Sequence, residues 1–188
     1  MIEFLHTLNE QPQITEGICM DALEAIHTRR SIRLYTPQPV PDELVDQLLR
    51  AAMSAPSAGN QQPWQFVVIR QRQTLDKIPT FHPHSEMVKQ ACVAILVCGD
   101  TRLEKNVGYW VQDCSAATQN LLLAAHALGL GAVWVGVYPR EERVSEFRKL
   151  LGIPEEVIPF ALVPVGYPAE TKPPANRYDP ARIHHDRW

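Results

Sequence analysis

The centre of the chain reads AATQNLLLAAHALGLGAVWVGV, residues 116–137, and it predicts a helix followed by a strand. Residues 116–127 are apolar nearly all round, inside a helical stretch expected from about residue 106 to 128. A helix of this kind is buried on several sides, often against a partner subunit. Gly129 and Gly131 end it, because glycine adopts the left-handed backbone of a helix cap without strain. Residues 132–137 then predict a strand.

Helices and strands are interleaved on both sides of this centre. Helical patterns cover residues 22–29, the stretch from residue 41 to before Pro56, and residues 140–150, while residues 64–69, 91–97 and 160–165 read as strands. Residues 91–97 are apolar on both faces, as in a strand covered on both sides. The order of elements fits an α/β or α+β fold, and we favour α+β.

The two ends of the chain differ from its middle. Asp21 is a good N-cap and Glu24 completes a capping box, so we expect the domain to occupy residues 20–188 and residues 1–19 to be an N-terminal extension. The proline-rich tail from about residue 168 has no helical period. Its composition fits equally well a disordered end and an arm that reaches across a dimer.

Composition excludes several classes of protein. The formal net charge of −3 gives no basic footprint for nucleic acid. The first 20 residues contain no Lys or Arg and no long apolar run, so we expect no secretory signal, and no apolar stretch is long enough for a membrane span. Cys19, Cys92, Cys98 and Cys114 form no closely spaced pair and are expected to be reduced thiols. A cytoplasmic protein is expected.

The first chemical signal is Arg29-Arg30-Ser31-Ile32-Arg33, where a helix gives way to an extended segment. Three guanidinium groups and a hydroxyl lie within five residues, and arginine presents a rigid fork of donors suited to phosphate. On chemistry alone the segment is either a phosphate site or a charged surface.

The second signal is the loop SAPSAGNQQPW, residues 54–64. Its small side chains would let the backbone lie close to a flat ligand, and its Asn and Gln side chains offer both donors and acceptors. Taken alone, its composition favours a plain connection between a helix and a strand over a ligand site.

Together the two segments resemble the nitroreductase family of flavoproteins. The resemblance continues in residues 124–136, in Val165-Gly166-Tyr167-Pro168 and in Arg177, in the family's order over roughly residues 20–180. It implies an α+β, nitroreductase-like fold with a mixed central sheet flanked by helices, and an intertwined homodimer. It further implies bound FMN, NAD(P)H as a transient electron donor, and ping-pong transfer to a nitroaromatic, a quinone or a similar small acceptor, without nucleic acid or membrane as a partner.

The resemblance also implies which residues hold the cofactor. Arg29, Arg30, Ser31 and Arg177 are expected to hold the phosphate and the ribityl chain, and Arg33 is expected to face the pyrimidine edge of the flavin. The remaining positions would contact the flavin ring, and those in the loop at residues 56–60 would reach the flavin of the other subunit. The cofactor-binding set is Arg29, Arg30, Ser31, Arg33, Pro56, Ser57, Ala58, Asn60, Trp134, Val135, Gly136 and Arg177. No side chain is expected to do acid–base catalysis, because hydride moves to and from the flavin itself.

The chain departs from some relatives at a few positions. His84 and Met87 stand where an Asn and a Lys occur, and Ala175 replaces a Lys before Arg177. Whether His84 or Met87 touches the flavin stays open. Trp110, Tyr109 and Tyr138 are candidate pocket walls, with core packing as the alternative.

Other functions remain as alternatives. The same fold can carry reductive dehalogenation or oxidation of a bound substrate, or it can bind flavin without catalysis, and residues 29–33 can bind a different phosphate ligand. The four histidines His82, His84, His184 and His185 lack the wider ligand set of a metal site, so none is expected. No Gly-x-Gly-x-x-Gly follows a strand, and the sequence does not distinguish NADH from NADPH.

Overall fold

The computed structural model describes residues 20–188, so the extension expected at residues 1–19, with Cys19, lies outside the described residues. Five α-helices and five strands follow one another in this part of the chain. They are α1 (Ala22–Thr28), α2 (Asp42–Met53), β1 (Trp64–Ile69), α3 (Arg72–Phe81), β2 (Val93–Asp100), α4 (Trp110–Ala127), β3 (Gly131–Ala132), β4 (Val135–Gly136), α5 (Glu141–Leu151) and β5 (Val157–Gly166). Within residues 20–188 we find no helix that is both long and apolar enough to cross a membrane.

The strands form one sheet in the order β1-β2-β5-β3, with β4 also paired to β5. The α+β class is confirmed. The mixed sheet is a correction: all pairings within residues 20–188 are antiparallel. Strand β2 is antiparallel to both of its neighbours, β1 and β5, and strands β3 and β4 are both antiparallel to β5.

The core lies in two layers, one on each face of this sheet. Val93, Ile95 and Val97 of β2 face α2 and α4, whereas Ala94 and Leu96 face α3 and α5. Every residue of β2 is buried, which confirms that this strand is covered on both sides. The layers hold the ends of α1 and α4 and strands β3 and β4 in fixed positions around the site described below.

Helix α3 was not predicted, because Pro79 reads as a helix breaker. A proline inside a helix costs about 3 kcal/mol. Leu75 and Ile78 are 1% and 0% exposed, and burying each such side chain contributes about 1.5–3 kcal/mol. Burial of these two side chains offsets the cost of the proline, and the helix ends at Phe81, two residues after Pro79.

The single strand predicted at residues 132–137 is divided into β3 and β4. Both pair with β5 in one register, Ala132 opposite Val165 and Val135 opposite Leu162. That register places Pro164 opposite the gap between them, and proline has no N–H to donate. The ladder is therefore interrupted at that point although the chain stays extended.

Candidate functional site

The arginine-rich segment leaves α1 and runs along β3. The N–H of Ile32 donates to the carbonyl of Ala132 at 3.0 Å. The side chain of Ile32 packs directly on Gly131, and a Cβ added to Gly131 would come within 2.6 Å of Ile32 Cγ2. Ile32 therefore packs against β3, while Ser31 beside it is partly buried and Arg33 is exposed.

The tail holds this segment from the outside. The N–H of Arg33 donates to Glu170 Oε1 at 2.5 Å and that of Leu34 to the same oxygen at 3.3 Å. The bond from Arg33 is the main reason that the pKa of the Glu170 carboxyl is lowered. Lys172 Nζ donates to the carbonyl of Ser31 at 2.7 Å. Residues 170–172 of the tail thus lie across the arginine-rich segment and bind its backbone at Ser31, Arg33 and Leu34.

Three guanidinium groups gather beyond the end of α1. They line a cavity of about 360 Å³, whose wall is formed by Ile26, His27, Arg29, Arg30, Ala175, Asn176, Arg177 and Tyr178. The pKa of Arg29 is lowered, first by burial and then by the charges of Arg177 and Arg30. Arg177 was one of the residues predicted to complete this group, and the fold of the tail brings it there.

The positive charges in this cavity form no ion pair with the part of the chain that the structure describes. Within residues 20–188 no ion pair involves Arg29, Arg30 or Arg177. Arg30 donates through Nε to the carbonyl of Pro173 at 2.9 Å, but its Nη2 is buried without a hydrogen-bond partner. Arg29 and Arg30 are partly buried and Arg177 is exposed. Neighbouring cations repel one another and a buried donor without a partner is costly, so an anion in this cavity would be stabilising. The cavity has the donor set of a phosphate site.

A second, larger cavity of about 490 Å³ lies at the other end of the same segment. Its wall is formed by Arg33, His82, Pro83, His84, Glu86, Met87, Val133, Trp134, Val135, Gly136 and Arg143. Arg33, Trp134, Val135 and Gly136 were all predicted to be site residues, and the structure brings them together. His84 and Met87, whose roles the sequence left open, lie on the same wall. Ser31 lies between the two cavities and lines neither.

The loop that was predicted to contact the ligand lies elsewhere in this chain. Residues 58–60 form a 3₁₀ turn on the first turn of α4. The N–H of Ala58 donates to Asp113 Oδ1 at 3.0 Å, and Gln61 Nε2 donates to Asp113 Oδ2 at 2.7 Å. Pro56, Ser57, Ala58 and Asn60 line neither of the two cavities.

Helix α4 separates the loop from the arginines. The loop is bound to Asp113 in the first turn of α4, whereas α1 is joined to its last turn by the 2.8 Å hydrogen bond between Thr28 Oγ1 and His126 Nε2. Asp113 and His126 are thirteen positions apart in one helix, which is about 20 Å at 1.5 Å per residue. Within one chain, the loop therefore does not meet the arginine cavity.

The aromatic residues proposed as pocket walls pack mainly on one another. The rings of Trp110 and Tyr138 lie 4.9 Å apart, and Trp110 and Trp134 both make edge contacts with Phe160. Trp110 is 6% exposed and belongs to the core. Core packing is the role that the structure shows for it, while Tyr109 and Tyr138 are partly exposed beside it.

Histidines contribute to the site without forming a metal centre. No group of three His, Cys, Asp or Glu side chains within residues 20–188 is close enough to hold a metal ion. His184 stacks on Trp188 at 4.2 Å. His82 is fully buried at the wall of the larger cavity, together with Arg143 from the first turn of α5. No spacing pattern relates these two residues to Gly136, so sequence reasoning missed them both.

Comparison with known proteins agrees with this geometry. The model of the family described as "Nitroreductase family" matches residues 26–94 and 82–167. A protein of Methanothermobacter thermautotrophicus named "Putative NADH dehydrogenase/NAD(P)H nitroreductase" is 59% identical over 169 residues, which cover 90% of this chain and 88% of that protein.

Solved structures show the same fold. A protein of Parabacteroides distasonis with the same name superposes with a TM-score of 0.85 at 45% identity, covering 89% of this chain and 98% of that one. An FMN-dependent nitroreductase of Clostridium difficile superposes with a TM-score of 0.82 at 27% identity, covering 88% and 99%. From the family match over most of the described residues and from this degree of identity, it follows that the chain belongs to the nitroreductase family.

Proposed function

We propose that this protein is an FMN-dependent oxidoreductase that takes electrons from NADH or NADPH and passes them to a nitroaromatic, a quinone or a similar small acceptor. FMN supplies the reversible hydride chemistry, and the acceptor would enter the same site after the nicotinamide has left, in a ping-pong cycle. The membership of the family and the FMN dependence of the C. difficile relative support the cofactor assignment.

One observation carries the proposal: two cavities of different chemistry lie on one five-residue segment. The cavity at Arg29 is cationic, and its arginines form no ion pair with the described residues 20–188. The cavity at Arg33 is bounded by Trp134, Val135 and Gly136. An extended segment of this length spans at most about 17 Å. A phosphate joined by a short polyol to a flat ring has charge at one end and a planar surface at the other, so FMN fits both cavities.

Each group of residues has a separate task in this proposal. Arg29, Arg30 and Arg177 would neutralise the phosphate, and the unused Nη2 of Arg30 would gain an acceptor. Arg33 would place a fixed positive charge at the ring, where reduction adds negative charge. Trp134 would bound the space over the ring and limit the entry of water. No side chain is assigned as a general acid or base.

We also propose that the working protein is a homodimer. The loop at residues 56–60 lines neither of the two cavities described above in its own chain, and about 20 Å of α4 lie between it and the arginines. A second copy can supply the loop from outside. Several apolar side chains are exposed in one chain, as expected for a surface that a second copy covers: Leu23, Ile26, Val107, Tyr178 and Trp188. The arm from about residue 168 would then reach the partner.

Two further expectations remain as proposals. We place the domain at residues 20–188, with residues 1–19 as an extension of it. We also place the protein in the cytoplasm, because Cys92, Cys98 and Cys114 are free thiols, as is usual in a reducing compartment.

Absorption spectroscopy of the purified protein tests the proposal. Flavin bands that bleach when NADH or NADPH is added without oxygen, and that return with a nitroaromatic or a quinone, are the expected result. Bands that do not bleach would indicate a flavin-binding protein without this activity. A colourless protein that takes up no added FMN would refute the cofactor assignment.

A pair of arginine variants tests the phosphate site. Arg177→Ala removes a charged donor from the cavity, and hydrogen bonds to charged groups contribute about 1.5–3 kcal/mol, so FMN should bind about 10- to 150-fold more weakly. Riboflavin has no phosphate and should bind as it does to the unmodified protein. Arg187→Ala changes an exposed arginine in the same tail and should affect neither ligand. Equal losses for FMN and riboflavin would contradict the assignment of the phosphate to this cavity.

A further inference from the structure

The carbonyl oxygen of Gly136 accepts two side-chain hydrogen bonds. His82 Nε2 lies 2.9 Å from it, and Arg143 Nη1 donates to it at 2.9 Å. His82 follows the last residue of α3 and Arg143 belongs to the first turns of α5, so the donors come from two separate helices. A carbonyl oxygen has two lone pairs. These two donors are sufficient to use both.

The tautomer of His82 follows from this contact. A carbonyl oxygen can only accept, so Nε2 of His82 carries the hydrogen and Nδ1 of the neutral ring does not. Nδ1 is buried without a hydrogen-bond partner, where a second N–H would be costly. Burial lowers the pKa of His82, and the charge of Arg143 lowers it further. The ring is therefore a neutral donor with one fixed orientation.

The backbone around His82 is also held in place. Its N–H donates to the carbonyl of Ile78 at 3.0 Å, and its own carbonyl accepts from Ser85 Oγ at 2.7 Å. The side chain is completely buried. A ring that is fixed at its backbone and enclosed by the core can define the position of the group to which it donates.

The backbone conformation of Gly136 is less restricted by its own side chain than that of its neighbours. Gly136 lies in a strand of only two residues, and a Cβ added to it would meet nothing within 4 Å. Glycine has the widest choice of backbone conformations. The peptide group after Gly136 is held on one side by the N–H of Val137, which donates to the carbonyl of Phe160 at 3.1 Å, and on the other side by the two donors to the carbonyl of Gly136. Gly136 itself lines the larger cavity.

We propose that His82, acting together with Arg143, is a positioning residue that orients the main chain of Gly136 at the wall of the cofactor cavity and so tunes the binding and the redox potential of FMN. The inference rests on the proposed function, because it assumes that this cavity receives the flavin ring. It adds to that function two residues, His82 and Arg143, that bind the carbonyl oxygen of Gly136 at the wall of the cavity.

Two replacements of His82 separate positioning from packing. His82→Phe keeps a ring of similar size but has no donor. His82→Gln keeps an N–H donor at about the distance of Nε2. Lys77→Gln, at an exposed position of α3 away from both cavities, is the control. The readouts are the dissociation constants of oxidised and of reduced FMN for the apoprotein, the midpoint potential of the bound flavin, and the melting temperature of the apoprotein.

The loss of one hydrogen bond, about 0.5–1.5 kcal/mol, corresponds to a change of about 2- to 12-fold. For His82→Phe we expect a change of this size in FMN binding, different for the oxidised and reduced forms, and hence a shifted midpoint potential. His82→Gln should restore both values. Nitrogen NMR of the apoprotein should show the Nε2–H tautomer of His82 without any flavin present.

Four outcomes decide the inference. If His82→Phe melts normally and binds both forms of FMN as the unmodified protein does, the inference is wrong. If the Phe and Gln variants change binding equally, the role is packing and the inference is also wrong. If His82→Phe does not fold, Arg143→Met removes the other donor from the half-exposed side, and an unchanged midpoint potential there would overturn the inference. An unmodified protein that binds no FMN would instead show that the proposed function itself fails.

Discussion

Asp113 is the residue on which the position of the 56–61 loop depends. Its carboxylate is 4% exposed and accepts from the N–H of Ala58 at 3.0 Å and from Gln61 Nε2 at 2.7 Å. The oxygen of the same Gln61 side-chain amide, Oε1, accepts hydrogen bonds from the N–H groups of Lys105 and Asn106 at 2.9 and 3.1 Å. The amide of Gln61 therefore cannot turn over without losing both of these bonds.

Asp113→Asn keeps the size of the side chain and removes one acceptor. If the new amide oxygen keeps the bond to Ala58, the new NH₂ group faces the NH₂ group of Gln61, and two buried donors are left opposed. Hydrogen bonds to a charged group contribute about 1.5–3 kcal/mol, so we expect the free energy of unfolding to fall by about this amount. For a chain of this size, the melting temperature should fall by about 3–12 °C.

Circular dichroism melting of the apoprotein measures this change without any ligand. Asp46→Asn replaces an exposed aspartate in α2 and should shift the free energy of unfolding by less than about 0.5 kcal/mol. If the loop reaches the flavin of a second copy, Asp113→Asn should also weaken FMN binding in the folded protein. A melting temperature equal to that of Asp46→Asn would refute the account of this hydrogen-bond network.

Three other predictions concern β2 and the residues around it. Gly99→Ala would place a Cβ in a steric clash with Trp110 Cε3, and such overpacking should cost about 1–3 kcal/mol, measured by urea unfolding; an unchanged midpoint would contradict it. The hydrogen bond from Arg102 lowers the pKa of the Asp100 carboxyl, so its stabilising effect is complete above the unfolded value of about 3.9 and is lost as pH falls through the folded value. Asp100→Asn should therefore flatten the acid limb of stability against pH, and two parallel curves would argue against this pairing. Burial raises the pKa of the Cys98 thiol to about 12, so iodoacetamide at about pH 8 should modify Cys98 only after denaturation, as peptide mass mapping can show.

Much of the secondary structure could be predicted because its signals are local. The strand at residues 64–69 matches β1, and the apolar run at residues 91–97 includes the first five residues of the fully buried β2 (Val93–Asp100). Asp21 caps α1 as predicted, accepting from the N–H of Leu23 at 2.9 Å. In each case a few neighbouring residues contain the whole signal, so the tertiary structure had only to agree with it.

The elements that could not be predicted depend on distant residues. Helix α3 tolerates Pro79 because Leu75 and Ile78 are buried in the core layer that α3 and α5 form with the sheet. Strands β3 and β4 are separate because Pro164 lies opposite the gap between them. Neither partner is near in sequence. A local pattern contains no information on what will cover a helix or pair with a strand.

The candidate site divides in the same way. The segment Arg29–Arg33 was recognised as a short run of suitable chemistry, whereas the stretch from Trp134 to Gly136 was assigned to the site only through the resemblance to the family. Only the tertiary structure shows that Arg177 reaches Arg29, that residues 56–60 lie at the opposite end of α4, and that His82 and Arg143 hold the carbonyl of Gly136. Sequence by itself determined which groups are available and which local backbone carries them. Their distances were decided by the packing of two helical layers on one sheet, because long-range contacts form only when the whole core is assembled.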